Sequence, residues 1–187
     1  MNSIRNIPGL FFVVFIAISL FLNGCMNSGK KQEKQIIQNL MDKKFPLPDS
    51  IVILDNYHLD TTSIQYFNSN SKIISLVDGR CPACINKLSK LIKAKKRLEN
   101  KANKKIDFMF LVHTKNFKTF KNNFYPVLDP ETPIIIQKSL SFLEENPLPG
   151  FGVYQTVLTV NNKIRLVGNP AINRDLENLY LDEINKQ

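Results

Sequence analysis

Cys81-Pro82-Ala83-Cys84 places two thiols either side of a two-residue spacer. Ahead of them runs Lys72-Ile73-Ile74-Ser75-Leu76-Val77, an apolar stretch of strand length. Behind them Ile85, Leu88 and Ile92 recur at helical spacing. The pair therefore falls where a strand ends and an amphipathic helix begins. A thiol there faces unpaired backbone N–H groups and the positive end of the helix dipole, and both favour thiolate, the nucleophile of thiol–disulfide exchange. The spacer lets the second sulfur reach back to the first, so a mixed disulfide can resolve within one molecule. Arg80 adds a cation beside Cys81, whereas Pro82 has no N–H to offer a thiolate. Two other chemistries use the same residues. A static disulfide could brace the helix start, although so short a loop gains little from unfolded-state entropy. A metal would need two further ligands, with only His58 and His113 as histidines and no second CxxC.

The elements that must position the pair are legible around it. Ile51–Leu54 reads as a strand with Asp55-Asn56 as a turn, and Ile64–Phe67 and Lys72–Val77 read as a hairpin joined by Asn68–Ser71. A long helix is expected from Pro82 to about Asn100, with proline in the first turn where a missing N–H is harmless. Ile106–Val112 is apolar enough for a fully buried strand, with His113 at its end. Asn116–Tyr125 sets Phe117, Phe120 and Phe124 at helical spacing, Ile134–Ile136 is a short strand, and Ser139–Glu145 a short helix. Val153–Val160 and Lys163–Val167 flank Asn161-Asn162, a hairpin signal. A last helix carries Ile172, Leu176, Leu179, Tyr180 and Ile184. Strand–helix–strand connections imply parallel pairing and the final hairpin antiparallel pairing, giving a mixed sheet of four or five strands flanked by helices.

The N-terminus is set aside from the fold. Leu10–Leu22 is almost wholly apolar and too short for an ordinary spanning helix of about 20 residues. Leu22-Asn23-Gly24 leads into a single cysteine, Cys25. The run matches the apolar core of a secretory signal, and an uncleaved anchor is the alternative. Residues 25–50 read as a tether with a short helix striped by Ile36, Ile37, Leu40 and Met41, ended by Phe45-Pro46-Leu47-Pro48. Residues 51–187 form the domain. Residues 1–24 hold one arginine and no acid, so their removal leaves 163 residues and lowers the formal charge from +9 to +8. Much of that charge sits in Lys87, Lys90, Lys93, Lys95, Lys96, Arg97, Lys101, Lys104 and Lys105. Such a run is a solvated helix face or a recruiter of acidic partners. No base-stacking or Gly-Arg pattern points to nucleic acid. With Cys25 set aside, Cys81 and Cys84 are too few for a disulfide-stapled scaffold.

Leu22, Gly24 and Cys25 resemble the lipobox of bacterial lipoproteins, which implies acylation of Cys25, cleavage after residue 24 and anchoring by acyl chains. The element order with CPAC opening the first helix resembles the thioredoxin fold over Lys72–Ile184. The nearest resemblance is to exported, lipid-anchored thioredoxin-like proteins of Bacteroidetes type, in the TlpA/ResA branch of thiol–disulfide oxidoreductases. Ile134–Pro149 would belong to that branch's extra αβ insertion. The resemblance implies Cys81 as attacking thiolate and Cys84 as resolving thiol, with Arg80, Pro82, Gln155 and Thr156 bordering a substrate groove. It also implies exported cysteine-containing proteins and a membrane redox donor as partners, no cofactor, and a periplasm-facing location. Two positions depart from the pattern: Arg80 stands where a tryptophan is usual, and Gln155 where a cis-proline is. A thioredoxin-fold binding lipoprotein with a structural or metal-holding CPAC pair is the rival expectation.

Overall fold

The computed structural model describes residues 34–137 and 155–186. The chain divides into Met1–Asn39 and a compact unit, Leu40–Gln187. Residues 34–40 are helical. Residues 1–33, with the expected signal peptide, Cys25 and the start of the tether, lie outside the described residues. So do the expected helix Ser139–Glu145, the rest of the insertion beyond Gln137, and Val153 and Tyr154. Among the described residues no helix is long and apolar enough to cross a membrane.

The elements run β1 (Ser50–Asp55), β2 (His58–Ser63), β3 (Ser71–Asp78), α1 (Pro82–Lys101), β4 (Ile106–His113), α2 (Phe117–Asn123), β5 (Ile134–Gln137), β6 (Thr156–Val160), β7 (Lys163–Val167) and α3 (Arg174–Asn185). They build one mixed sheet in the order β2-β1-β5-β4-β3-β6-β7. The central strands β3, β4 and β5 are parallel. The outer pairs β1–β2, β1–β5, β3–β6 and β6–β7 are antiparallel. This is the expected α/β architecture with seven strands in place of four or five. The sheet is wider because β1 pairs with β5, Val52 opposite Ile136, and brings β2 with it.

The N-terminal hairpin differs from the expectation. Its strands are β1 and β2, joined at Asn56 and Tyr57, which both have positive φ (45° and 65°). Tyr57 holds that backbone by packing edge-on to Tyr125, ring centroids 5.0 Å apart, while its carbonyl accepts from Lys121 Nζ at 2.9 Å. Ile64–Tyr66 is instead a 3-10 turn capped by Ser63. Asn68–Ser71 is a pinned connection: the Ser69 N–H donates to Asp107 Oδ2 at 2.7 Å, and the Asn161 N–H to the Asn70 carbonyl at 2.9 Å.

β4 lies mid-sheet with all eight residues buried. On alternate positions Ile106, Phe108, Phe110 and Val112 join Ile73 and Val77 of β3 and Leu158 and Val160 of β6 in one cluster. Onto that cluster pack Ile85, Leu88, Leu91, Ile92 and Leu98 of α1, Phe120 of α2, and Tyr180, Leu181 and Ile184 of α3. At the β7 edge, residues 42–45 add a short run of backbone pairing. The Asp42 N–H donates to the Ile164 carbonyl (2.8 Å), the Ile164 N–H to the Lys43 carbonyl (2.9 Å) and the Phe45 N–H to the Asn162 carbonyl (2.8 Å). Asn161 and Asn162 turn β6 into β7 with φ of 51° and 62°, as their type anticipates.

Candidate active site

The chain leaves the parallel strand β3 at Asp78, turns through Gly79 and Arg80, and enters α1 at Pro82. Cys81 is the N-cap, its backbone extended at φ −99° and ψ 104°. Its carbonyl accepts from the N–H groups of Cys84 and Ile85, both at 3.0 Å, which starts the helix ladder. Its Sγ accepts from the Cys84 N–H at 3.2 Å, taking the place a serine or aspartate oxygen fills at other caps. Pro82 at the first helical position gives up no bond the helix needs. The two cysteines form a disulfide across a Cα separation of 5.2 Å. Both are part-exposed, Pro82 and Ala83 are exposed, and Cys84 also packs against the apolar cluster. A thiolate released at Cys81 would keep the Cys84 N–H and the helix dipole as its support.

The turn before the pair is tightly set. The Gly79 N–H donates to the His113 carbonyl at 2.8 Å. A Cβ on Gly79 would stand 2.8 Å from Val112 Cγ1, 3.1 Å from the His113 carbonyl and 3.2 Å from Phe120 Cδ2, so only glycine lets the turn close against β4. Asp78 lies opposite His113 in the β3–β4 register. Its carboxylate takes both arms of Arg80, Nε at 3.0 Å and Nη2 at 2.8 Å, and the Arg80 backbone N–H at 2.9 Å. The side-chain bond from Arg80 is the main cause that holds the Asp78 carboxyl below its ordinary range. The cation next to Cys81 thus shares its charge with a carboxylate.

On the sheet face beneath α1, Ser75 Oγ and Thr156 Oγ1 lie 3.0 Å apart, both residues buried. Gln155, also buried, offers its carbonyl to the Leu76 N–H at 2.7 Å. The described residues contain no cis peptide bond. Of the residues singled out by sequence, Arg80, Cys81, Pro82 and Cys84 adjoin by chain position, and Thr156 and Gln155 come alongside β3 through the β3–β6 pairing. His113 reaches the same end of the sheet and is buried. His58 stands on β2, at the far edge. Asp78, Ser75 and Gly79 carry no signal in the sequence; only the register of β3 against β4 and β6 gives them a place. Among the described residues no group of three or more His, Cys, Asp or Glu side chains is arranged to hold a metal ion. A cavity of about 630 Å³ lined by Phe45, Leu47, Ile64, Phe67 and Lys72 does not include the cysteines.

With this geometry in hand, solved structures of similar shape can be named. The thioredoxin domain of a thiol-disulfide oxidoreductase from Bacteroides vulgatus matches with a TM-score of 0.56 at 17% identity, covering 78% of this chain and 98% of that one. A candidate protein disulfide isomerase from Bacteroides thetaiotaomicron matches at 0.57 and 13% identity, covering 79% and 91%. A reduced 2-Cys peroxiredoxin from Plasmodium vivax matches at 0.55 and 13%, covering 79% and 97%. No family model and no curated protein matches the chain. At these identities the likeness is one of fold. The chain has an α/β thioredoxin-like fold, structurally similar to thiol-disulfide oxidoreductases and peroxiredoxins, with a CxxC disulfide opening its first long helix.

Proposed function

We propose that this chain is a lipid-anchored thiol–disulfide oxidoreductase of the TlpA/ResA type. It faces the periplasm, exchanges electrons with cysteines of exported proteins and is reset by a membrane dithiol donor. The observation that carries the reading is the part-exposed Cys81–Cys84 disulfide at a helix N-cap, with the Cys84 N–H on Cys81 Sγ. In the reducing direction the Cys81 thiolate bonds to one sulfur of a substrate disulfide, whose S–S bond breaks and whose other sulfur leaves as thiolate. Cys84 then loses its proton to solvent, bonds to Cys81 Sγ and expels the second substrate sulfur. Two electrons pass from the dithiol to the substrate, and solvent protonates the products. The oxidising direction reverses each step. No cofactor takes part. Anchoring rests on acylation of Cys25, supported by the lipobox resemblance.

The test is trapping in cells. A Cys84→Ser variant should accumulate mixed disulfides through Cys81, and a Cys81→Ser variant should not. A pair that resists mild reduction, with nothing trapped, would instead mark a static brace. Radiolabelled fatty acid should label the chain and leave a Cys25→Ala variant unlabelled.

A further inference from the structure

Among the described residues, the segments around the dithiol carry mostly basic side chains. Residues 79–98, 108–128 and 155–174 contain no Asp or Glu, yet they hold Arg80, Lys87, Lys90, Lys93, Lys95, Lys96, Arg97, Lys115, Lys118, Lys121, Lys163, Arg165 and Arg174. Of these, Arg80 adjoins the cysteines, Lys87 and Lys90 lie in the first turns of α1, and Lys115 and Lys118 follow the same end of β4, whereas Lys163 sits at the opposite end of the sheet where β6 turns into β7. Among the described residues Asp78 is the carboxylate beside the pair, and Arg80 occupies it. Asp49, at the same end ahead of β1, is three strands from β3, about 14 Å at ordinary strand spacing.

Within α1, Ala83, Lys87 and Lys90 recur at i, i+4 and i+7 and so share one stripe, which Lys93 and Arg97 continue. Lys87, Lys90 and Lys93 are exposed, and none forms an ion pair with another described residue. At a rise of about 1.5 Å per residue Lys87 and Lys90 lie only about 5 and 9 Å along the helix from Cys84. Both distances fall inside the Debye length of about 10 Å at 0.1 M salt, so these charges act where a substrate sulfur must arrive. Further down the same helix the logic changes. Arg97 and Lys101 are taken up by Glu177, each with a nitrogen 2.9 Å from its carboxylate. Among the described residues Lys87 and Lys90, next to the active pair, are thus without an ion pair, as are Lys93 and Lys96 further along the helix.

We infer that the preferred substrate of the Cys81–Cys84 pair is a cysteine flanked by acidic residues in a polypeptide, drawn in along the Lys87–Lys90–Lys93 stripe. This deepens the exchange activity proposed above and rests on it. Flanking carboxylates repel an approaching thiolate and raise the pKa of the leaving thiol, so such a disulfide reacts slowly unless a cationic surface offsets them. An anionic membrane would be attracted by the same charge, but the stripe begins at the reactive helix turn, where a bilayer would cover the cysteines.

The experiment uses the full chain in a neutral detergent, pre-reduced with a dithiol reagent and freed of it, in single turnover. Three oxidants are compared: the neutral 2-hydroxyethyl disulfide, and two peptide disulfides of equal length flanked by Glu or by Lys. Each rate is divided by that of the neutral disulfide with the same protein, which cancels changes in Cys81 reactivity. At low ionic strength the acidic peptide should react about tenfold faster than the basic one, and the ratio should approach one in about 0.5 M salt. The Lys87→Glu/Lys90→Glu/Lys93→Glu variant should invert the preference, and the salt series on the unaltered chain stands even where that variant misfolds. Reaction with the neutral disulfide but equal rates for both peptides overturns this inference alone. No reaction with any of the three overturns the exchange activity as well. Equal peptide rates with tight binding to phosphatidylglycerol vesicles, lost in the variant, would assign the stripe to the membrane and overturn the inference.

Discussion

Arg80 grips Asp78 with both arms of its guanidinium, at 3.0 and 2.8 Å, across a turn whose next residue is Cys81. The pair sets the charge beside the attacking sulfur close to neutral. Removing either partner should move the Cys81 thiol in opposite directions. Arg80→Ala leaves a bare carboxylate near the sulfur and should raise the pKa of the reduced Cys81, whereas Asp78→Asn frees the cation and should lower it. Titrating the thiolate by its ultraviolet absorbance reads both. Salt should shrink both effects, since Arg80 is 63% exposed. Shifts of the same sign would show that the two charges do not act on the sulfur.

Gly79→Ala should cost about 1–3 kcal/mol, because the new methyl group collides with buried Val112 and with the His113 carbonyl. Urea unfolding of the oxidised protein would measure it. The Cys81 thiolate should also become less reactive, since the turn that presents it must shift.

Ser75 and Thr156 satisfy each other's hydroxyls in a buried place. Ser75→Ala alone strands the Thr156 hydroxyl and should destabilise by about 1 kcal/mol, and Thr156→Val alone should do the same. The double variant removes both needs and should cost clearly less than the two single losses together. A double-mutant cycle in urea decides; strict additivity would mean the hydroxyls do not interact.

Glu177 should give the fold an acid-sensitive contribution. Its side chain is 6% exposed and takes Arg97 and Lys101, and the side-chain bond from Arg97 is the first cause that keeps its carboxyl below the ordinary 4.5. A carboxyl lowered in the folded state stabilises fully above its unfolded value, and that stability fades as pH falls through the folded one. Glu177→Gln should therefore lose about 1–2 kcal/mol near neutrality and show a flatter stability profile below about pH 5. Equal slopes for both proteins in acid would contradict this.

Much of the centre was legible because burial writes itself into residue type. β4 is apolar enough to read as buried on both faces, α1 repeats Ile85, Leu88 and Ile92, and Asn161-Asn162 marks the last hairpin. The edge was harder. β2, His58–Ser63, is almost wholly exposed and polar, so no hydrophobic alternation announces it, and its turn uses Tyr57, which is not a turn-former by type. Asn68–Ser71 looked like a hairpin turn for the opposite reason. Its small polar residues serve bonds to Asp107 and Asn161 that are remote in sequence. At the site, the cysteines and their helix could be read from spacing. Asp78, Gly79 and the Ser75–Thr156 pair could not, because their meaning depends on which strand lies alongside.

The backbone pairing of residues 42–45 with β7 has a mechanical consequence. Tension on the chain ahead of Leu40 would meet the buried Leu40 side chain and then the hydrogen bonds among Asp42, Lys43, Phe45, Asn162 and Ile164, together with the Arg165–Asp42 contact. β3, which leads into the cysteines, lies inward of that edge behind β7 and β6. If residues 25–50 act as a tether, this edge run would yield before the strand and helix that present Cys81, lengthening the tether while the site stays folded.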